Sequence, residues 1–339
     1  MRELRPTNRT HELARSKAAA SGQYKGTRTL FSDAPAFLGV RPQCPRCRAN
    51  LNQLECQFCG LRMRVNRGII HALPQDRAAH YAGFMEDDER IGASASIDSL
   101  KQEYYLNLPY KDLSGRDCEQ WRIRAHTYNY LVENVLTQNL LVDGGRILDL
   151  GAGNCWMSYR MALARYRPFA VDLLTNDRDG LGAGEHFRKY LPAMFPRFQA
   201  ELTRLPFQDE QFEAAVFNAS FHFAEDYKAA FREAFRCVKS GGLVIVSDTP
   251  RYSRQESGWR WESHRQAVPG EPGETTSDSI RSLEDRTDER LRALEEQLTI
   301  RWTIHSPRYG FLWSMRPLVA KLCNRREPSR FRIYVTRKA

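Results

Sequence analysis

The sequence lacks the features that would carry it into or across a membrane. No apolar run approaches the roughly 18 residues needed to span a bilayer, and the N-terminal region has no apolar segment of the secretory type. We therefore expect a cytoplasmic protein without a membrane partner. Because export is disfavoured, the eight cysteines are expected to be reduced thiols or metal ligands rather than disulfides.

Extremes of composition are also lacking. Of the 339 residues, 42% are hydrophobic and 27% are charged, which is a globular balance and excludes a wholly disordered chain. The formal net charge is +10, and residues 1–41 hold eight Arg or Lys against three acidic residues. We predict that this segment is a flexible basic tail. A nucleic-acid-binding arm, a solubilising extension and a transit peptide all fit its composition.

Four of the cysteines form two closely spaced pairs. Each CxxC places two thiols on one tight turn, and eight residues separate the first pair from the second: Cys44, Cys47, Cys56 and Cys59. Two facing turns of this kind supply the four sulfur ligands that a tetrahedral Zn²⁺ prefers. A closed four-thiolate shell leaves no position for substrate, so we predict a zinc ribbon with a structural Zn²⁺. An iron–sulfur cluster is disfavoured by the spacing.

From residue 146 onward, short apolar runs alternate with helical patterns, which is typical of a parallel α/β sheet. The strand candidates are residues 146–150, 168–172, 198–202, 212–218, 242–247, 298–305 and 331–336. We predict a helix over residues 311–323 between the last two strands, and two helical pieces over residues 99–142, broken near residue 109.

The first of these strands runs into a glycine turn. Asp149 is followed by Gly151 and Gly153, and a helix is predicted to begin near Trp156. Glycines at a strand-to-helix turn let the backbone approach a ligand closely, and the helix N-terminus presents free N–H groups. A nucleotide-phosphate loop or a plain tight turn would look similar, so the residues downstream decide the interpretation.

The later strand candidates place polar residues where their strands end. Asp172 closes the next strand about twenty residues on, where a carboxylate can accept both hydroxyls of a ribose. Glu201 ends the third strand candidate and Asn218 ends the fourth. Because the carboxyl ends of parallel strands share one edge, these residues are expected to face the same crevice. The glycine spacing departs from G-x-G-x-x-G, with Trp156 in place of the third glycine, which disfavours a dehydrogenase.

These motifs resemble those of the class I S-adenosylmethionine-dependent methyltransferases. The resemblance rests on the segments LDLGAG, AVD, AELTRLPF, QDEQFEAAVFNAS and REAFRCVKSGGLVIVSD. It covers residues 140–250 strongly and 298–336 loosely. It implies a Rossmann-like, mostly parallel seven-stranded sheet with an antiparallel last strand.

The resemblance also assigns roles to the candidate residues. It implies that Gly151 and Gly153 flank the methionine part of the cofactor and that Asp172 binds its ribose. Glu201 and the Leu202 backbone would meet the adenine, and Asp149 would hold the loop or the amino group. The family often has a third glycine where this chain has Cys155, so we expect a reshaped loop.

The predicted organisation has four parts. Residues 1–41 form the basic tail, 42–73 the zinc ribbon, 74–142 a linker and helical cap, and 143–339 the methyltransferase domain. Residues 249–297 are expected to be an insertion that covers substrate. The ribbon and the helical cap are predicted to close the open edge of the cofactor crevice.

His222 is the candidate general base, because it follows the fourth strand and can accept a proton near neutral pH. Packing of this histidine between Phe221 and Phe223 is an equally good interpretation. The segment NASF has no prolines, which disfavours the methylases of exocyclic base amines. Residues 217–224 contain no cysteine, which disfavours the methylases of pyrimidine carbons.

Two acceptor classes remain, and a small molecule is preferred over RNA. Aromatic residues at 104–110, with Trp259 and Trp261, could line a small-molecule pocket, although core or interface packing is the preferred explanation for them. A ribbon ahead of such a domain resembles bacterial enzymes that methylate a guanine ring nitrogen in ribosomal RNA, but with a different ligand pattern. Basic residues past the ribbon could neutralise phosphates: Arg62, Arg64 and Arg67. A non-catalytic cofactor-binding scaffold is the third alternative.

Overall fold

The computed structural model describes residues 39–86, 101–139, 144–248, 288–322 and 331–339. Apart from residues 39–41, the predicted basic tail lies outside the described residues. The predicted insertion also lies outside the described residues, apart from residues 288–297. Trp259 and Trp261 belong to the part of the insertion that is not described.

A single mixed sheet organises the described chain, with the strand order β1-β2-β5-β4-β3-β6-β7-β9-β8. The strands are β1 (Arg64–Asn66), β2 (Ile69–His71), β3 (Arg146–Leu150), β4 (Arg167–Asp172), β5 (Arg197–Gln199), β6 (Phe212–Asn218), β7 (Val238–Ser247), β8 (Thr303–His305) and β9 (Ile333–Arg337). Strands β2 to β7 pair in parallel, whereas β9 is antiparallel to both β7 and β8. The predicted α/β class and the antiparallel last strand are therefore confirmed.

The predicted number of seven strands is wrong, because the sheet has nine. The two additional strands form the hairpin β1–β2, and β2 pairs in parallel with β5. Ile69 and Ile70 of β2 are buried, so the hairpin contributes to the core. The buried Arg197 of β5 fixes the hairpin turn by donating to the Arg67 carbonyl oxygen at 3.0 Å.

Seven α-helices of six or more residues lie in the described chain: α1 (Gln75–His80), α2 (Gln102–Asn107), α3 (Cys118–Tyr130), α4 (Trp156–Leu163), α5 (Tyr227–Cys237), α6 (Asp288–Leu298) and α7 (Phe311–Leu322). A 3₁₀-helical segment spans Leu181–Tyr190 between β4 and β5. Helix α3 continues as a π-helical turn over Leu131–Leu136 and a last turn over Thr137–Asn139. The break between α2 and α3 falls where the sequence predicts it. The third strand is shorter than predicted, because β5 ends at Gln199 and Glu201 lies beyond it. None of the described helices is long and apolar enough to cross a membrane.

The cysteine-rich segment, residues 40–73, packs directly on the sheet. Its buried side chains Val40, Leu51 and Met63 share one core cluster with Phe198 and Phe207. The Gln43 N–H donates to the Pro206 carbonyl oxygen at 3.1 Å. The segment is thus joined to the α/β core by both apolar packing and backbone hydrogen bonds.

Candidate active site

The turn after β3 is formed by two glycines in the left-handed region. Gly151 has φ +73° and Gly153 has φ +51°. A Cβ on Gly151 would lie 2.3 Å from the Cβ of Ser220, a residue of the loop after β6. The Ser220 hydroxyl donates to the Leu150 carbonyl oxygen, which holds the two loops together. Gly151 is therefore required for both its backbone conformation and its lack of a side chain.

Asp172 lies at the end of β4, as predicted, and is bonded to the glycine turn. Its Oδ2 accepts from the Gly153 N–H at 2.7 Å, and its Oδ1 accepts from the Leu174 N–H at 2.9 Å. These two backbone donors fix the orientation of the carboxylate. The structure thus brings Asp172 and Gly153 together at one edge of the sheet.

Asp149 is 1% exposed and accepts a hydrogen bond from the Ser158 hydroxyl of α4 at 2.7 Å. Burial raises the pKa of Asp149 to about 7, and the negative charge of Asp172 acts in the same direction against the Ser158 hydrogen bonds. Asp149 therefore anchors the first turn of α4 beneath the crevice.

Cys155 follows the two glycines of the turn, at the position where the resemblance implied a reshaped loop. Its φ is +64°, a left-handed conformation that costs a residue with a Cβ roughly 1–2 kcal/mol. The side chain is fully buried, and burial raises the pKa of its thiol well above the usual value. Cys155 therefore keeps the backbone of a glycine-type turn and is an inert thiol rather than a nucleophile.

Glu201 is held by residues that sequence reasoning missed. The side chain of Glu201 is 1% exposed, and the Arg77 guanidinium of α1 donates to both of its oxygens over 2.8–3.1 Å. The hydroxyls of Tyr81 and Thr203 each donate to Oε2 at 3.1 Å. Arg77 and Tyr81 lie four residues apart, but Glu201 is 124 and 120 residues away from them, so no local signal indicates the contact.

The other two predicted residues lie at the end of β6 and just after it. Asn218 accepts from the Ser247 hydroxyl at 2.9 Å, which ties the ends of β6 and β7 together. His222 lies in the 3₁₀ turn Phe221–Phe223, is 8% exposed, and has its ring centroid 4.1 Å from that of Phe223. Both interpretations of His222, a base and a packed histidine, are compatible with this position.

The four cysteine sulfurs converge on one point. The Sγ atoms of Cys44 and Cys59 are 3.5 Å apart, as are those of Cys47 and Cys56, and all four lie within 4.8 Å of one another. These separations suit the corners of a tetrahedron around one metal ion with bonds of about 2.3 Å. The predicted ligands are therefore brought together, on turns closed by the Arg48 and Gly60 N–H groups.

The central part of the chain is similar to a known protein family. Residues 148–246 match the family described as "Methyltransferase domain". This range runs from β3 to β7 and contains the glycine turn, Asp172, Glu201 and Asn218. This part of the chain is therefore similar to methyltransferase domains, as the resemblance implied.

Curated relatives agree with this match at low identity. The chain is 24% identical over 155 residues to the malonyl-[acyl-carrier protein] O-methyltransferase of Erwinia pyrifoliae, which covers 46% of this chain and 56% of the relative. It is 30% identical over 105 residues to the demethylmenaquinone methyltransferase of Mycobacterium marinum, covering 31% of this chain and 42% of the relative. The chain thus spans about half the length of these relatives.

Among solved structures, Haemonchus contortus phosphoethanolamine N-methyltransferase 2 in complex with S-adenosyl-L-methionine overlaps with a TM-score of 0.43 at 15% identity. The overlap covers 66% of this chain and 58% of that chain.

Replacing Gly151 by alanine tests the contact between the two loops. We expect Gly151→Ala to destabilise the fold in two ways. The left-handed backbone costs about 1–2 kcal/mol, and forcing Ser220 aside adds about 1–3 kcal/mol. The matched control is Gly241→Ala, because Gly241 has φ +76° but no atom within 4 Å of the added Cβ. Urea unfolding of both variants gives the comparison, and equal losses would show that crowding at Ser220 has no effect.

Removing the Arg77 guanidinium tests the ion pair with Glu201. We expect Arg77→Ala to cost about 3 kcal/mol of unfolding free energy, because it leaves a buried carboxylate without its cation. The control is Arg46→Ala, since Arg46 pairs with Asp76 at the surface, with the side chains 40% and 61% exposed, where such pairs contribute about 0–1 kcal/mol. A loss at Arg77 no larger than that at Arg46 would contradict the assignment.

Proposed function

We propose that the chain transfers a methyl group from S-adenosylmethionine to a small-molecule acceptor. The match of residues 148–246 to the methyltransferase domain carries this proposal. The relatives support the acceptor class, since their names specify malonyl-[acyl-carrier protein] and demethylmenaquinone as substrates. Packing of the cysteine-rich segment on the core also favours a structural role for it over RNA recognition.

The cofactor would lie over the carboxyl ends of β3, β4 and β5. Gly151 and Gly153 allow close approach of the methionine part, and Asp149 supports their turn from below. Asp172, with its oxygens oriented by backbone N–H groups, would accept the ribose hydroxyls. At the adenine end we assign Glu201 and the Leu202 backbone, with Arg77 and Tyr81 fixing the carboxylate, and Asn218 lines the far side.

When bound, S-adenosylmethionine supplies a methyl group on a sulfonium, which leaves readily to a nucleophile. The residues of the chain then have to position the acceptor in line and exclude water. His222 is the proposed proton acceptor for a nucleophile that arrives protonated. The burial of His222 beside the buried Phe221 would limit the access of solvent to such a proton transfer.

The test uses purified protein, S-adenosylmethionine with a labelled methyl group, and extract from cells that lack the gene. We expect label in small metabolites, loss of cofactor binding in Asp172→Asn because the ribose loses its charged acceptor, and a large fall in rate in His222→Ala. Label that enters RNA and disappears on nuclease treatment would instead support the RNA alternative. Cofactor binding without any transfer would support a scaffold, and a His222→Ala rate within a few-fold of wild type would remove the proposed base.

We further propose that the four sulfurs of Cys44, Cys47, Cys56 and Cys59 hold one structural Zn²⁺. The support is their convergence within 4.8 Å and the inclusion of Cys44 and Cys56 in the core cluster. A closed sulfur shell supplies no reactive position, so this metal would stabilise the fold and take no part in the chemistry.

Metal analysis of the purified protein tests the zinc proposal. We expect about one zinc per chain, and its loss with a fall in melting temperature in Cys44→Ser, because metal binding contributes to folding. Cys118→Ser is the matched control, since Cys118 is exposed and lies outside the cluster. Retention of zinc in Cys44→Ser, or its loss in Cys118→Ser, would contradict the proposed ligands.

A further inference from the structure

Asp248 is a buried carboxylate that the cofactor site does not use. It follows the last residue of β7, has φ +52° and is 4% exposed. Within the described chain, no hydrogen bond of regular geometry reaches either of its carboxylate oxygens, although the Thr127 hydroxyl lies near enough to lower the pKa of Asp248 as a hydrogen-bond donor. Buried polar groups in native proteins are nearly always paired, so this exception indicates a missing partner.

Its position after β7 places Asp248 at the same carboxyl edge of the sheet as the residues assigned to the cofactor. Ser247 pairs with Asn218 across β7 and β6, and the Ala219 N–H donates to the Ser247 carbonyl oxygen at 2.9 Å. Strand β7 is two strands away from β3, or about 9.6 Å at the usual spacing of 4.8 Å. A small acceptor can span this distance between Asp248 and a cofactor bound at the glycine turn.

Helix α3 and the segment before α7 bring further polar groups to Asp248. The hydroxyls of Thr127 and Tyr309 are hydrogen-bonded to each other at 2.9 Å, and both side chains are buried. Arg124, one turn before Thr127, has its guanidinium over the Trp121 ring, 4.5 Å from the centroid. Arg124 acts on Asp248 by its charge and not through a hydrogen bond.

These groups favour the ionised form of the carboxylate, although burial opposes it. Burial raises the pKa of Asp248 to about 6, while the Thr127 hydroxyl and the positive charge of Arg124 both lower it. Near neutral pH the carboxylate is therefore mostly ionised. An ionised carboxylate can only accept hydrogen bonds, so its missing partner is a donor.

We propose that Asp248 binds the methyl acceptor by accepting a hydrogen bond from a hydroxyl or amino group of that molecule. The proposal rests on the proposed small-molecule methyltransferase function and narrows its substrate class to molecules that carry such a donor. Cofactor on the β3 side and acceptor on the β7 side of the crevice then meet at the end of β6. Asp248 would select the acceptor and orient it toward the transferred methyl.

The experiment compares wild type with Asp248→Asn, which keeps the shape of the side chain and removes its charge. The probe is the small-metabolite fraction of extract from cells lacking the gene, titrated against S-adenosylmethionine carrying a labelled methyl group. We expect unchanged cofactor affinity by calorimetry and a roughly tenfold or greater rise in the extract concentration that half-saturates labelling, as loss of one charged hydrogen bond implies. Asp209→Asn is the control, because Asp209 is a 67% exposed aspartate before β6, at the opposite edge.

A second measurement on the wild-type protein covers the case in which Asp248→Asn does not fold. Acetylation of the hydroxyl and amino groups of the extract is expected to abolish labelling. Unchanged half-saturation in a folded Asp248→Asn, labelling that survives acetylation, or label found only in RNA or protein would each overturn the proposal. Failure of wild type to bind S-adenosylmethionine would instead overturn the methyltransferase function itself.

Discussion

The close approach of the turn after β3 to the loop after β6 constrains the rest of the carboxyl edge of the sheet. Gly151 has no room for a Cβ beside Ser220, and its positive φ directs the chain toward α4. That path allows the Gly153 N–H to reach Asp172 on the neighbouring strand. One crowded contact thereby positions residues from three strands, and any side chain at residue 151 would disturb all of them.

The cysteine-rich segment is structurally part of the α/β domain. Its side chains enter the main core cluster, its hairpin extends the sheet, and Arg48 donates to the Glu233 carboxylate of α5 at 2.7 Å. The chain then runs directly into α1, where Arg77 holds Glu201. A metal at the four cysteines would therefore stabilise one end of the crevice through a continuous set of contacts, without touching a ligand there.

Sequence reasoning succeeded where the signals are local. The strands from β3 onward and the glycine turn follow from apolar runs, glycines and acidic residues that lie within a few positions of one another. It failed where short elements depend on distant partners. Strands β1 and β2 have three residues each, and β2 becomes a strand because β5 offers a free edge. Arg77 likewise has no local signature, because its role depends on the ion pair with Glu201, which lies far along the chain.

Four buried or half-buried carboxylates lie at one edge of the sheet, and they differ in the hydrogen-bond donors that they receive. Asp172 receives backbone N–H groups, Glu201 receives a guanidinium and Asp149 receives a hydroxyl. Asp248 receives no regular hydrogen bond from the described chain.

The charges of these four carboxylates are not equal, because Glu201 is paired with the Arg77 guanidinium and burial raises the pKa of Asp149 to about 7. An ionised Asp172 would suit the sulfonium of S-adenosylmethionine, the proposed cofactor. The carboxylates with protein partners hold neighbouring loops and helices in place. Asp248, which lacks a regular hydrogen bond, is the one proposed to bind the acceptor, because a desolvated carboxylate gains most from a ligand that can donate to it.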